Sequence, residues 1–368
     1  MSTQATPSAA ATPSAGVRLD SLTGLRFPAA LAVFAFHAST HSLDGTVHDV
    51  AMAIAGRGYI GVAFFFMLSG FVLTWSRREG DDVRGFYRRR FARIAPVYWV
   101  CLAGATLLLL LASGNPIKAI VAALPSVVAL QAWIPVPAVY FGGNGPGWSI
   151  SAEAFFYLCF PLLVLALPHR RGRIGLGVLA AVLMLGPALV LHPTGSDQTD
   201  PAFWAIYVLP ATRISDFIVG MLVAHAVKNG WRPPVGLGGA LLLSLGAYAL
   251  TGVTPPWSTV SIVTVVPFAL LLAAAATSDL SGRRTVITSP VAMRLGEWSY
   301  AFYLVQASVL KVQHEFAQRL GGGPALEWSL VLVAFAVCLA LSGALYTIVE
   351  RPMERRWRHA PRRLTEAT

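Results

Sequence analysis

Residues 23–40, TGLRFPAALAVFAFHAST, have the composition of a membrane-spanning helix, yet the segment carries two polar side chains that are costly to place in lipid. Arg26 lies near its start, and His37 follows eleven residues later. Eleven residues of helix rise about 16 Å and make close to three turns, so both side chains share one face. Ionisable groups inside membrane spans are functional candidates by default. The pair therefore predicts a shared polar cavity inside a membrane bundle.

The composition of the whole chain also indicates a membrane protein. Of the 368 residues, 55% are hydrophobic and 12% are charged, with a mean hydropathy of +0.62. Soluble domains carry about 25% charged residues. The net charge of +11 comes from short basic clusters between apolar runs, a distribution that sets membrane topology. We therefore predict an all-α membrane protein that contacts the lipid bilayer and has no nucleic-acid partner.

The number of spans follows from the apolar runs and from the basic loops between them. Segment 119–134 is short and contains Pro125 and Gln131. If this segment does not cross the membrane, most of the 28 lysines and arginines lie on the cytoplasmic side, where basic loop residues of membrane proteins are usually found. We predict a bundle of about ten transmembrane helices, a re-entrant or interfacial segment at 119–134, and both termini in the cytoplasm. The predicted spans lie near residues 24–41, 58–76, 95–113, 148–167, 174–191, 204–227, 235–252, 258–277, 295–312 and 326–349.

The chain divides into one domain and two tails. Residues 1–17 are rich in Ala, Ser, Thr and Pro, and no basic segment leads directly into a short apolar one. This composition is typical of a disordered tail and not of a cleaved signal. Residues 18–358 are predicted to form the membrane domain, and residues 359–368 a basic cytoplasmic tail.

His37 has the chemistry of a general base. A neutral imidazole can take a proton from a hydroxyl, and burial disfavours its charged form. The alternatives are a core histidine bonded to a backbone carbonyl and, for Arg26, a side chain that extends to the membrane surface. His41 lies one turn further on, but no other ligand cluster accompanies the two histidines. We expect no metal site and no tightly bound cofactor.

A second polar cluster lies in residues 148–157, WSISAEAFFY. Ser149, Glu153 and Tyr157 are spaced four residues apart and so share one face of a helix. A carboxylate in an apolar helix needs a partner. Either Glu153 forms a structural ion pair with an arginine elsewhere, or it orients His37 or contacts a polar substrate.

A third motif is the basic stretch at residues 86–94, FYRRRFARI, which places Arg88, Arg89, Arg90 and Arg93 at the cytoplasmic mouth of the bundle. One interpretation is a topology signal alone. Guanidinium groups also bind phosphate in a bidentate manner. An anionic cytoplasmic ligand such as a nucleotide-bearing carrier suits this position.

Together these motifs resemble the acyltransferase-3 family of integral membrane O-acyltransferases. The matching stretches are LRFPAALAVFAFH, GVAFFFMLSGF, RRRFARIAP, WSISAEAFFY and YTIVERP, in this order within residues 19–358. The resemblance implies a ten-helix bundle that moves an acyl group from acyl-CoA, as a co-substrate, to a hydroxyl, usually on a sugar. It implies His37 as the catalytic base, Arg26 as its essential companion, and the arginines at 88–93 as ligands of the CoA phosphates. The family often has YLxH where this chain has YLVQ, ending at Gln306.

The chemistry of the residues fits this reaction class. Ester formation from a thioester is favourable, so activating the hydroxyl and holding both substrates dominate the problem. We predict direct transfer, with His37, Arg26 and Glu153 as catalytic residues and with Arg26 stabilising negative charge. No serine or cysteine with an adjacent base marks a covalent nucleophile, and Ser69 is the alternative acyl carrier. The candidate substrate-binding residues are Ser69, Trp148, Ser149, Tyr157 and Tyr303.

Residues 17–39 also resemble the starts of macrolide-sugar acyltransferases of antibiotic-producing actinobacteria. That resemblance implies a sugar or a glycosylated secondary metabolite such as a macrolide as the acceptor, and a bacterial inner membrane as the location. Two alternatives stay open. One is acylation of a cell-surface polysaccharide by the same chemistry, and the other is a proton-coupled transporter in which buried Arg, His and Glu form a relay. The sequence does not indicate the oligomeric state.

Overall fold

The computed structural model describes residues 18–40, 46–77, 80, 82–112, 114–191, 198–254, 260–321 and 323–358. The predicted tails and His41 lie outside these ranges. The described residues form helices and turns and contain no β-strand. The predicted all-α class is therefore confirmed.

Sixteen α-helices follow one another along the described chain, with short 3₁₀ and π-helical segments between some of them. In chain order they are α1 (Asp20–Gly24), α2 (Arg26–Thr40), α3 (Thr46–Ala55), α4 (Gly61–Ser76), α5 (Val83–Ala112), α6 (Pro116–Val127), α7 (Pro137–Tyr140), α8 (Trp148–Leu163), α9 (Arg170–Leu191), α10 (Pro201–Phe203), α11 (Pro210–Lys228), α12 (Leu237–Leu250), α13 (Val260–Leu280), α14 (Pro290–Leu320), α15 (Pro324–Leu345) and α16 (Arg351–Arg358).

Eight helical stretches in the described part of the chain are long and apolar enough to cross a membrane. They match eight of the ten predicted spans. The other two predicted spans are also helical, but α12 has only 14 residues, and α14 has 31 residues and is less apolar. The eight stretches are Asp20–Thr40, His48–Ser76, Val83–Ala112, Gly145–Ala166, Arg170–Leu191, Pro201–Lys228, Ser261–Leu280 and Ala325–Trp357.

The segment at 119–134 has the short form that the sequence predicts. Helix α6 has 12 residues, so it is about 18 Å long, which is less than the roughly 30 Å of a hydrocarbon core. The chain then turns at Ala129, whose φ is 55°. The buried Gln131 amide donates to the Tyr98 hydroxyl (3.1 Å) and to the Gly147 carbonyl (2.7 Å). The amide nitrogen of this polar side chain therefore has its hydrogen-bond partners inside the protein, in accord with a segment buried at membrane depth.

Helix α4 packs closely against α11 through two glycines. A methyl group on Gly70 would overlap the Phe217 carbonyl, and one on Gly220 would overlap the Met67 carbonyl. Small residues let membrane helices approach backbone to backbone. Gly70 therefore has a packing role, and the contact fixes the position of the neighbouring Ser69.

Packing of α2 against α14 determines where its polar side chains point. The Phe27 and Phe34 rings lie 5.3 and 5.6 Å from the Phe302 ring, centroid to centroid, in edge-on and tilted arrangements. Such aromatic pairs add to the stability gained from burial alone. Because this face of α2 is occupied, Arg26 and His37 lie on a neighbouring face, where each lines an interior cavity.

Candidate active site

A cavity of about 280 Å³ lies among α2, α4, α5, α8 and α14, and we call it the central cavity. Most of the site residues predicted from the sequence line it. They are Arg26, Ser69, Arg90, Arg93, Ser149, Glu153, Tyr157 and Tyr303. Residues from four separate motifs of the sequence thus meet at one place.

Glu153 is held in this cavity by hydroxyl groups. The Ser69 hydroxyl donates to the Glu153 carboxylate (3.0 Å), and the Tyr157 hydroxyl donates to the same oxygen. Tyr157 lies one turn after Glu153 on α8, as the four-residue spacing predicts. Within the described ranges, the carboxylate is neither in an ion pair with an arginine nor in contact with His37.

His37 lines a second cavity of about 700 Å³, which we call the histidine cavity. Aromatic side chains make up much of its wall, including Phe36, Tyr59, Trp148 and Tyr207. Phe36 and Tyr59 contact each other edge to face at 5.2 Å between ring centroids. The predicted base therefore lies in a large, mainly aromatic chamber.

The single shared cavity that the sequence predicts is therefore two cavities. Val62 and Tyr303 line both of them and form a partition between Arg26 on one side and His37 on the other. The reason is the helical rise: eleven residues separate the two side chains by about 16 Å along α2. Glu153 is on the Arg26 side, so the structure does not bring it to His37.

Tyr303 is anchored firmly at this partition. Its hydroxyl lies 2.9 Å from the Ser149 hydroxyl and donates to the Pro146 carbonyl at 3.3 Å. The Ser149 hydroxyl donates to the same carbonyl at 2.9 Å. These bonds join α14 to the start of α8, so the Tyr303 ring is fixed between the two cavities.

The four predicted phosphate-binding arginines do not form one set. Arg90 and Arg93 line the central cavity, and Arg93 also pairs with Glu354 at 3.1 Å. Arg89 does not reach the central cavity, but it lines a small pocket of about 50 Å³ together with Arg90 and Arg93. Arg88 lines neither the central nor the histidine cavity. Successive residues of a helix point in different directions, so only part of this arginine run faces the central cavity.

Helix α5, which carries these arginines, begins at a capped N-terminus. The backbone N–H groups of Gly85 (2.9 Å) and Arg84 (3.2 Å) donate to the Asp82 carboxylate. These hydrogen bonds, that of Gly85 first, hold the pKa of the Asp82 carboxyl below its usual value. The cap satisfies backbone donors that have no partner inside the helix.

A third cavity, of about 460 Å³, was not anticipated from the sequence, and we call it the vestibule. Arg26 and Arg93 line both the vestibule and the central cavity, so the two are contiguous. The signal in the sequence that could have found it is the charged run ERPMERR at 350–356. Because five arginines line the vestibule, we call this end of the bundle the arginine-rich end. The lining residues are Arg18, Thr23, Arg26, Arg93, Glu297, Tyr346, Glu350, Arg351, Glu354 and Arg355.

Two buried polar groups lie outside these three cavities. Arg213 and Asp216 pair at 2.9 Å, and the Ser261 hydroxyl bonds to both. Gln306, which stands where the resembled family often has histidine, is fully buried in α14. Neither the ion pair nor the amide lines the central cavity, the histidine cavity or the vestibule.

Comparison with known proteins identifies the family. The family model described as "Acyltransferase domain", that of acyltransferase-3, matches residues 19–347. The chain belongs to the acyltransferase-3 family. The match includes every residue that lines the central and histidine cavities, whereas five of the ten residues that line the vestibule lie outside it.

The similar proteins of known name agree with this assignment. This acyltransferase is 40% identical over 362 residues to the acyltransferase MdmB of Streptomyces mycarofaciens, with 92% of each chain covered. It is 30% identical over 332 residues to the exopolysaccharide production protein ExoZ of Rhizobium meliloti, which covers 86% of this chain and 95% of ExoZ. It is 25% identical over 233 residues to the O-acetyltransferase OatA of Staphylococcus aureus, which covers 58% of this chain and 35% of OatA. No solved structure matches the chain.

The family and the helices together define the class of protein. The chain is an O-acyltransferase, and its apolar helices make it a multi-pass membrane protein. This conclusion replaces the transporter alternative.

Proposed function

We propose that this acyltransferase moves an acyl group from acyl-CoA to a hydroxyl of a sugar or of a glycosylated secondary metabolite such as a macrolide, with His37 as general base. The supporting observation is the pair of chemically different cavities that meet at Val62 and Tyr303. Three arginines and a glutamate line one, and aromatic rings with the histidine line much of the other. A reaction between a charged donor and a largely apolar acceptor needs two such compartments with a common boundary.

The donor side is the central cavity. Arg26, Arg90 and Arg93 line it and give it a positive charge that suits an anionic thioester donor. The arginine-rich end faces the cytoplasm in this proposal, in accord with the usual bias of basic residues in membrane proteins. Acyl-CoA from the cytosol would then enter at that end.

The acceptor side is the histidine cavity. Its volume of about 700 Å³ is within the usual range of about 300–1,000 Å³ for small-molecule sites. Tyr59, Trp148 and Tyr207 offer apolar rings that carry polar groups, which suits an acceptor with both apolar and hydroxylated parts. The 40% identity to the acyltransferase MdmB of Streptomyces mycarofaciens supports a secondary metabolite as the acceptor. The 30% identity to the exopolysaccharide production protein ExoZ supports cell-surface polysaccharide as the second candidate acceptor.

The proposed chemistry is a direct transfer at the partition. His37 takes the proton of the acceptor hydroxyl while the hydroxyl oxygen attacks the thioester carbonyl. The new C–O bond forms, the C–S bond breaks, and the CoA thiolate leaves and receives the proton from His37. Because Arg26 lies about 16 Å along the helix from His37, we assign it to donor binding instead of to the carbonyl oxygen at His37.

The test is acyl transfer by the purified protein in phosphatidylcholine nanodiscs. Acyl-CoA and candidate acceptors are supplied, free CoA is followed with a thiol reagent, and ester products are identified by mass spectrometry. His37→Ala should abolish ester formation without loss of folded protein. His225→Ala is the matched control, because His225 lies on α11 and lines none of the three cavities. Full transfer by His37→Ala would remove His37 as the base, and no ester from the wild-type protein with any hydroxyl acceptor would overturn the proposed reaction.

A further inference from the structure

The vestibule has more positive charge than its own residues balance. Five arginines and three glutamates line it, a surplus of two positive charges. Glu354 is paired with Arg93 at 3.1 Å, and Glu297 lies 3.7 Å from Arg18. The surplus therefore comes from side chains that these ion pairs do not use.

Of the three arginines that these pairs do not use, Arg26 also lines the central cavity, whereas Arg351 and Arg355 line the vestibule alone. Across the described chain, neither forms an ion pair or a hydrogen bond, and both are exposed. They are four residues apart on α16, so they share a face of that helix, and both line the vestibule. Two free guanidinium groups on one wall of a concave site are suited to bidentate binding of phosphate.

The sizes of the cavities restrict how a nucleotide-bearing donor can bind. The central cavity, at about 280 Å³, is just below the range of roughly 300–1,000 Å³ for small-molecule sites. It has room for a narrow arm but not for a nucleotide as well. The vestibule, at about 460 Å³, adjoins it at Arg26 and Arg93, which line both spaces. A donor of this class must therefore extend through both cavities.

We propose that the vestibule binds the phosphate-bearing nucleotide end of the acyl donor, with Arg351 and Arg355 as phosphate ligands, while the acyl-bearing arm occupies the central cavity. This inference rests on the proposed acyl-CoA-dependent function. It differs from the expectation drawn from the sequence, in which residues 88–93 held the phosphates. Arg88 and Arg89 line neither the vestibule nor the central cavity.

An anionic lipid headgroup has the same phosphate chemistry, so the experiment must separate the two sources. The enzyme is placed in nanodiscs of phosphatidylcholine, which has no net charge, or of phosphatidylglycerol, which is anionic. Binding of adenosine 3′,5′-bisphosphate is measured by calorimetry in both, and the KM for acyl-CoA is measured in phosphatidylcholine. The variants are Arg351→Gln, Arg355→Gln and the two combined. The control is Arg356→Gln, which removes one charge from the same helix, as each single variant does, but at a residue that does not line the vestibule.

The expected result is specific to the double variant. Loss of two charge-assisted contacts should raise the bisphosphate Kd and the KM for acyl-CoA about tenfold or more, with kcat within about twofold of wild type. Arg356→Gln should behave like wild type. If the double glutamine variant does not fold, Arg351→Lys with Arg355→Lys keeps the charge but loses the bidentate geometry, and it should still weaken bisphosphate binding.

Three outcomes would overturn the inference. In the first, wild type and the double variant bind the bisphosphate equally. In the second, Arg356→Gln loses as much affinity as the double variant, which indicates a general surface effect. In the third, the double variant changes only the retention of phosphatidylglycerol, which makes the vestibule a lipid site. If the wild-type enzyme transfers acyl groups while any of these holds, only the vestibule assignment fails; if it transfers none from acyl-CoA, the proposed function fails first.

Discussion

Replacing Tyr303 should separate CoA release from ester formation. The Tyr303 ring is part of the partition between the central and histidine cavities, and it is only 6% exposed. A Tyr303→Ala change joins the two spaces. A tyrosine side chain is larger than that of alanine by on the order of 100 Å³, and this space holds about three water molecules at roughly 30 Å³ each. Water could then reach the thioester and hydrolyse it in place of the acceptor.

Tyr303→Phe separates the hydroxyl from the ring. It removes the bonds to Ser149 (2.9 Å) and to the Pro146 carbonyl (3.3 Å), each with a net contribution of about 0.5–1.5 kcal/mol. Ser149 keeps its own bond to Pro146, so no buried donor loses its last partner. We expect a stability loss of about 1–2 kcal/mol with the partition intact. Tyr303→Ala loses the ring as well, at a cost of about 3–5 kcal/mol, and opens the partition.

The assay compares free CoA with ester product in the same reaction. Wild type and Tyr303→Phe should release one CoA per ester, and Tyr303→Ala should release CoA in clear excess. Tyr300→Phe is the control, since it loses a comparable bond to the Ile94 carbonyl (2.9 Å) in the central cavity but does not lie at the partition. If folded Tyr303→Ala keeps the wild-type ratio of CoA to ester, Tyr303 is not a barrier between the cavities.

Three further changes test other parts of the structure. Gly70→Ala should lower the melting temperature strongly, because its methyl group would overlap the Phe217 carbonyl. The control is Gly104→Ala on α5, whose methyl group meets no atom within 4 Å and should leave the melting temperature unchanged or raise it. Equal effects of the two changes would refute the close α4–α11 contact. Glu153→Gln should raise the KM for acyl-CoA and leave the pH dependence of kcat unchanged, because Glu153 lies in the central cavity and not beside His37; a shifted pH profile would contradict this placement. Asp82→Ala should lower thermal stability at pH 7 and by less as the pH falls below about 4. The depressed pKa of Asp82 makes its contribution fully present above the pKa of the unfolded chain, about 4, and it is lost as the pH falls through the folded pKa. A pH-independent difference would refute the charged cap.

The helices were predictable because apolar length is encoded locally. The runs of about 20 apolar residues gave the positions of all ten predicted spans, and Pro125 with Gln131 marked the short segment correctly. Hydropathy was less accurate for the ends of α12, because the apolar run at 235–252 is longer than the 14 residues that form the helix. Helix ends depend on caps and tertiary packing that hydropathy does not record.

The site was predictable only where residues share one helix. The spacing of Glu153 and Tyr157 on α8 gave their contact directly. The Ser69–Glu153 bond joins residues 84 positions apart, and no local pattern indicates such a pair. The spacing of the polar residues of α2 gave their common face, but the partition between them comes from Val62 and Tyr303, on other helices, so one expected cavity became two.

The glycine contact between α4 and α11 limits how the enzyme could be adapted to a bulkier acyl group. Where two backbones touch at Gly70 and Gly220, no layer of compressible side chains remains between them. The central cavity therefore cannot widen by moving α4 outward. Selectivity for the length of the acyl group must then reside in side chains of α4 that line the central cavity, such as Val72. Replacing one of these with a smaller residue should admit a longer acyl group.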